Sequence, residues 1–337
     1  MRKLNHPLRG FLVALVLLLG IEVWLHTDDF LYRYRSVFAA GRAMDKIKYV
    51  EATSPRLIVT GNSRVDNGFD ARHVGAILGL SPLETFNLGL PGANARHLEA
   101  IFQRLDQAGK LSSGQIEMVV FGLDEALMQA EDTLGYGVFF SDPAALLAER
   151  NVAGALTTTF RFWGYAGNLK ELREPEKAGR FAQATFKPVE PVGGAASEFQ
   201  GYRAGFGAGQ FQNATQVARQ EETAIAPPSP VVAQSFLRIL DLLRSRGVKV
   251  AVVLPPLLER DVLYLNDSLP SARPYLELAR EIAGQGVPIL VLDAGAPRDP
   301  LDFINAGHLN DRGAQRYSAL LGQKLAALWN PADGVRP

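Results

Sequence analysis

Short apolar runs rich in β-branched residues, separated by stretches of helical periodicity, constrain this chain more than any other feature. The first run is Arg56-Leu57-Ile58-Val59-Thr60-Gly61-Asn62-Ser63-Arg64. It reads as a buried strand over 56–61 that enters a tight turn with a hydroxyl at its tip. A second run over 84–88 leads into Gly89-Leu90-Pro91-Gly92-Ala93-Asn94, and a third covers 115–122. Helices are predicted between them over 70–78 and 95–108. The alternation resumes after residue 230, with a helix over 231–246, a strand over 248–254, a helix over 272–285 and a strand over 287–292. A last amphipathic helix, Asp311–Trp329, opens on Asn310 or Asp311 as its cap. This order implies an α/β fold in three layers, with a mostly parallel sheet between helices.

Two regions depart from that rhythm. Over 132–230 the pattern degrades, Gly and Pro become frequent, and 188–209 is almost entirely small residues and turns. The expectation is an irregular insertion over the carboxyl edge of the sheet, where long loops often act as lids. At the other departure, Arg2, Lys3 and Arg9 precede the apolar run Phe11-Leu12-Val13-Ala14-Leu15-Val16-Leu17-Leu18-Leu19-Gly20-Ile21. Asp28 and Asp29 follow it, which gives the N-terminus-in orientation of the positive-inside rule. The unbroken run is short for a span, so a cleaved signal peptide competes with an anchor. No small-x-small cleavage site follows in His26-Thr27-Asp28-Asp29-Phe30-Leu31-Tyr32-Arg33, which favours an uncleaved anchor. The expected organisation is a tip and anchor over 1–27, a juxtamembrane helical or stalk segment over 28–50, a site-bearing domain over 51–131 and 231–330, and the insertion over 132–230. The expected location is the cytoplasmic membrane, single-pass, with the C-terminal part extracytoplasmic.

The formal net charge is zero, which argues against a nucleic-acid partner. The absence of cysteine excludes disulfides, thiolate zinc sites and cysteine nucleophiles. No metal-ligand spacing occurs, and neither a metal nor another cofactor is expected.

Ligands of open α/β sheets bind beyond the carboxyl ends of the strands. Ser63 lies there, as a nucleophile or as the N-cap of the next helix. His308 follows the last strand in Asp302-Phe303-Ile304-Asn305-Ala306-Gly307-His308-Leu309-Asn310, on the same rim. A serine hydroxyl needs a base in hydrogen-bond reach, and the base needs a third group to fix its tautomer. Asp302 and Asn305 are the local candidates for that third role. Of the other histidines, His6 and His26 flank the apolar run, while His73 and His97 fall inside helices.

Together these segments resemble the SGNH (GDSL-type) hydrolase superfamily, whose fold is a flavodoxin-like three-layer α/β/α sandwich. Gly61-Asn62-Ser63-Arg64 resembles its first block, with Ser63 as nucleophile. Asn87-Leu88-Gly89-Leu90-Pro91-Gly92-Ala93 resembles the second, in which Gly92 would join the N–H of Ser63 in an oxyanion hole. Asn305-Ala306-Gly307-His308-Leu309-Asn310 resembles the last, with His308 as general base. Two positions depart from the pattern. Phe121-Gly122-Leu123-Asp124 has leucine where the third block carries an asparagine donor, and Asn305 stands where an aspartate usually precedes the histidine. Asn62, Arg64, Asn94 and Asp124 are further candidates for substrate contact. The resemblance is nearest to the membrane-anchored branch that works beside membrane-bound O-acyltransferases, such as alginate O-acetylation and lipoteichoic-acid D-alanylation proteins.

That resemblance implies a serine-dependent O-acyltransferase, acetyl being the expected group, acting outside the cytoplasm on an exopolysaccharide or envelope glycan. A polysaccharide substrate, a membrane-bound O-acyltransferase or other assembly proteins would be its partners. The same groups would serve a tethered esterase or deacetylase with water as acceptor. A third reading is a non-catalytic polysaccharide-biosynthesis component that keeps the fold, motivated by Leu123 and Asn305. For it, Phe160, Phe162, Trp163, Tyr165, Tyr202, Phe206 and Phe211 are candidates to stack on sugar rings, with core packing as the competing reading.

Overall fold

A computed structural model describes residues 6–189, 191–192, 201–205, 226–258, 273–292, 299–305 and 307–329. The chain divides into two compact units, Met1–Asp45 with Thr133–Glu190, and Lys46–Asp132 with Pro191–Pro337.

The larger unit holds a five-stranded sheet built from β1 (Leu57–Gly61), β2 (Thr85–Gly89), β3 (Met118–Gly122), β4 (Lys249–Val253) and β5 (Ile289–Leu290). The strand order is β2-β1-β3-β4-β5 and every pairing is parallel. The chain therefore reverses direction across the sheet between β1 and β3, and such a switch point opens a crevice at the carboxyl edge. β5 is shorter than the run predicted over 287–292. Pro288 has no N–H to donate, and only its carbonyl joins the ladder, accepting from the Val252 N–H.

The strands are apolar on both sides because both sides are covered. Leu57, Val59, Met118, Val120, Ala251 and Val253 share one core with Val74 of α5 (Ala71–Ile77) and Tyr317 and Leu321 of the last helix. On the opposite face Phe121 sits 5.6 Å from Phe102 of α6 (Ala95–Gln107) and 5.3 Å from Phe236 of the Pro230–Ser245 helix. This is the expected three-layer arrangement. A short helix that periodicity does not announce, α4 (Ser63–Gly68), follows β1 directly.

The smaller unit departs from one expectation. The region predicted as an irregular insertion is helical over much of its described length: α7 (Tyr136–Phe140), α8 (Pro143–Ala148), α9 (Val152–Thr159), α10 (Arg161–Tyr165) and α11 (Pro175–Phe186). These helices are short and separately capped, as by Asp142 and Asn151, so no long apolar period betrays them. The residues after the apolar helix α1 (His6–Leu25) are largely helical, one of the two forms expected of the juxtamembrane segment. In α2 (Asp28–Arg33) and the loop after it, Phe30, Tyr34 and Phe38 are buried among aromatic rings. Tyr34 stacks on Phe181 at 4.4 Å, and Phe38 meets Tyr165 edge-on at 5.5 Å. α1 itself has an 18-residue window, Leu8–Leu25, long and apolar enough to cross a membrane.

The larger unit is completed by α3 (Ala39–Thr53), of which Lys46 onward belongs to it, and by α12 (Pro230–Ser245) and α13 (Arg273–Gly284). The antiparallel hairpin β6 (Phe303–Asn305) and β7 (His308–Leu309) then leads into α14 (Asp311–Trp329).

Candidate active site

Gly61 ends β1 with φ +154°, where an added Cβ would meet Val65 Cγ2 at 2.5 Å and the Gly122 carbonyl at 2.9 Å. Only glycine lets the chain turn so close to β3. Asn62 then caps α4, its Oδ1 accepting from the Arg64 N–H at 2.9 Å. The cap is thus Asn62 and not Ser63, which leaves the Ser63 hydroxyl, at the first helical position, free for another partner.

That partner is His308. Ser63 Oγ and His308 Nε2 lie 2.8 Å apart, 245 positions apart in the chain. His308 Nδ1 lies 2.9 Å from Asn305 Oδ1, which also accepts from the Gly307 N–H at 3.0 Å. The Gly307 bond fixes which end of the Asn305 amide faces the ring, because only its oxygen can accept. His308 Nδ1 must therefore carry the proton and donate it, and Nε2 keeps a lone pair towards the Ser63 hydroxyl. This is the tautomer a general base needs. Burial, and next the Arg64 guanidinium, push the His308 pKa down to about 4, while the Asp66 carboxylate opposes the shift. The imidazole is neutral and able to accept a proton across the whole neutral range.

Asp302, the other candidate for the third position, does not face the imidazole. It is buried, and its carboxylate pairs with Arg312 and Arg316 of α14. Its backbone carbonyl accepts from the Asn310 N–H. Asp302 thus ties the hairpin that carries His308 to the helix behind it. Asn310 caps that helix, its Oδ1 accepting from the Gly313 N–H.

Gly92 lies exposed in the loop after β2 with φ +70°, a conformation that favours glycine. Neither its amide nor that of Ser63 donates to another described residue. Leu123 is fully buried and donates its backbone N–H to Val253, so its side chain supplies no polar group.

All four suggested substrate contacts are engaged by other described residues. Asn62 Nδ2 donates to both oxygens of Asp124, at 2.7 and 2.9 Å. The buried Asp124 also accepts from the Leu127 N–H and lies 3.4 Å from Arg64. Asn94 caps α6 through the Arg96 and His97 N–H groups. Arg64 is held by Glu125 through two bonds of 3.1 Å, with its guanidinium close to Gly307.

Several buried polar residues that frame the site were not singled out from the sequence. Asn87 donates to the Val65 and Phe69 carbonyls and accepts from the Gly89 N–H, locking α4 against β2. Lys46 Nζ donates to Asp66 Oδ1 at 2.7 Å and to the Gly89 carbonyl at 2.6 Å. The signal for Lys46 was present, since Ala43, Lys46, Ile47 and Val50 share one face of α3. Of the aromatics suggested for sugar stacking, Tyr165 and Tyr202 are buried, the latter donating to Asp311. Phe206 and Phe211 lie outside the described residues.

Compared with known proteins, the chain matches no family model, and no curated protein matches it either.

Proposed function

We propose that this chain is a membrane-anchored, serine-dependent acyl-transfer enzyme of SGNH type. Its acceptor on this reading is a hydroxyl of an exported or cell-envelope polysaccharide. The observation that carries the reading is the relay Ser63–His308–Asn305, closed at hydrogen-bond distance with the tautomer fixed. A neutral imidazole held on a serine hydroxyl, with the ring oriented by a third residue, supports chemistry over a purely structural role.

In the first half-reaction Ser63 Oγ attacks the carbonyl carbon of an acyl ester while His308 Nε2 takes the hydroxyl proton. The tetrahedral oxyanion is received by the Ser63 and Gly92 amides, and His308 returns the proton to the departing alkoxide. In the second half, a sugar hydroxyl gives its proton to His308 and attacks the acyl-serine, and His308 passes that proton to the departing Ser63 Oγ, which regenerates the hydroxyl and the neutral imidazole. Asn305 holds the ring without adding a negative charge, and Leu123 leaves the oxyanion to backbone donors. α1 would hold the larger part of the chain outside the cytoplasmic membrane, beside a membrane-bound O-acyltransferase that supplies the acyl group.

The purified full-length protein, given an acyl ester with and without oligosaccharide, tests this. The expected result is acylated sugar formed only while Ser63 is present. Release of free acid alone would make it an esterase, and cells carrying Ser63→Ala with unchanged polysaccharide acylation would overturn the reading.

A further inference from the structure

The smaller unit carries an inverted pattern on α9 and α10. Between residues 151 and 169 Arg161 is the only charged residue. In α9 the polar and small side chains face inward: Ala155 and Thr158 are buried, and the Thr158 hydroxyl donates to the Gly137 carbonyl. Val152, Leu156 and Phe160, spaced four apart along one stripe, face outward, and α10 adds Phe162 and Trp163. Phe160 is 52% and Trp163 61% exposed. A helix that served only to cover a soluble core would present the opposite faces.

Four hydrogen bonds fasten this corner to the C-terminal end of α1 and to His26 just after it. Glu22 accepts from the Arg161 and Phe162 N–H groups at 2.6 and 2.9 Å. Arg161 donates to the Leu25 carbonyl at 2.9 Å, and His26 Nε2 lies 3.1 Å from Glu22 and 3.2 Å from the Thr159 carbonyl. The one carboxylate inside the apolar run of α1 is thereby satisfied by protein donors. The attachment lies at the C-terminal end of the apolar window, where a spanning helix would emerge from the hydrocarbon. Trp24, whose ring packs edge-on against Phe30 at 5.3 Å, stands at that level too. Tryptophan at this depth suits the bilayer interface, with its apolar body in the acyl boundary and its N–H near the headgroups.

We infer that α9 and α10 lie in the bilayer interface beside α1, their Val152–Leu156–Phe160 stripe and Trp163 seated among lipid. This second contact would fix how the smaller unit stands on the membrane. Lipid is the occupant because the exposed apolar surface of the corner continues that of α1 and is nearly free of charge. The inference rests on the reading of α1 as a membrane anchor.

The test uses the full chain in vesicles of phosphatidylcholine brominated near the headgroup end of the acyl chain. Two proteins are compared, both with Trp329→Phe, which keeps a ring over Arg56. One adds Trp163→Phe and reports Trp24; the other adds Trp24→Phe and reports Trp163. Quenching of both tryptophans relative to unbrominated vesicles is the expected result. Quenching of Trp24 with Trp163 unaffected overturns the interfacial placement and leaves the anchor standing; Trp163 would then face water or a protein partner. If neither is quenched, the anchor reading fails and the inference with it.

Discussion

His308 can act as a base only while its imidazole is neutral, and burial together with Arg64 keeps it so to unusually low pH. The acid limb of kcat/KM is therefore expected well below the value of about 6.5 of a free imidazole. Asn305→Asp places a carboxylate beside the protonated Nδ1 and favours the imidazolium. The His308 pKa then rises and the acid limb moves to higher pH, which a pH–rate profile of the variant would register. A limb that stays in place would mean that Asn305 does not face the titrating group. Ser63→Ala is expected to lower the acyl-transfer rate by on the order of 10³-fold or more while leaving the thermal transition near its parent value. At this scale Ser63 and His308 were legible because each follows a strand whose end the topology carries to one rim, whereas Gly92 was named only through the resemblance of its block. The choice between Asp302 and Asn305 was not, because it depends on which side chain a three-residue hairpin turns inward.

Two polar ties hold the elements that present these residues. Lys46 and Asp66 form a buried ion pair joining α3 to α4, and the same ammonium reaches the end of β2. Lys46→Met removes the cation from beside a buried carboxylate and is expected to cost about 3–5 kcal/mol in denaturant unfolding. Lys46→Met combined with Asp66→Leu should recover part of that loss, and a double variant no more stable than the single one would count against the pair. The second tie is the approach of α14 to the hairpin. A Cβ at Gly313 would come within 2.2 Å of the Asp302 carbonyl, so Gly313→Ala must push the hairpin away. Acyl transfer should suffer more than unfolding stability in this variant, since about 1 Å of displacement in a catalytic group can cost 10²-fold. Most strands were readable as elements because a parallel sheet covered on both faces leaves uninterrupted apolar runs. The helices of the smaller unit were not, since none is long enough to establish a period and several begin at their own caps. α4 escaped notice for the same reason, and Asn62 rather than Ser63 proved to be its cap.

The chain as a whole combines an apolar N-terminal helix, a small helical unit and an α/β unit with one serine–histidine relay. Because the sequence contains no cysteine, a single introduced thiol reports its own side of the membrane without background. A Ser112→Cys variant, at an exposed turn of the larger unit, is expected to react with a membrane-impermeant maleimide in intact spheroplasts. Reaction only after lysis would reverse the orientation and remove extracytoplasmic polysaccharide from the proposed function. The parallel core was legible at this scale because alternating strands and helices admit few topologies. The pairing of 133–190 with the first 45 residues was not, because it is made by scattered aromatic contacts that follow no period. The central claim is that His308 activates Ser63 for attack on an acyl carbon. Its most direct test is the reaction of the detergent-solubilised full-length protein with a fluorophosphonate, read by mass spectrometry of the labelled peptide. The account predicts one adduct on Ser63, none in Ser63→Ala, and labelling slowed on the order of 10³-fold in His308→Ala. A parent protein that stays unlabelled where a control serine esterase reacts fully, or a Ser63→Ala protein labelled as readily as the parent, would contradict it.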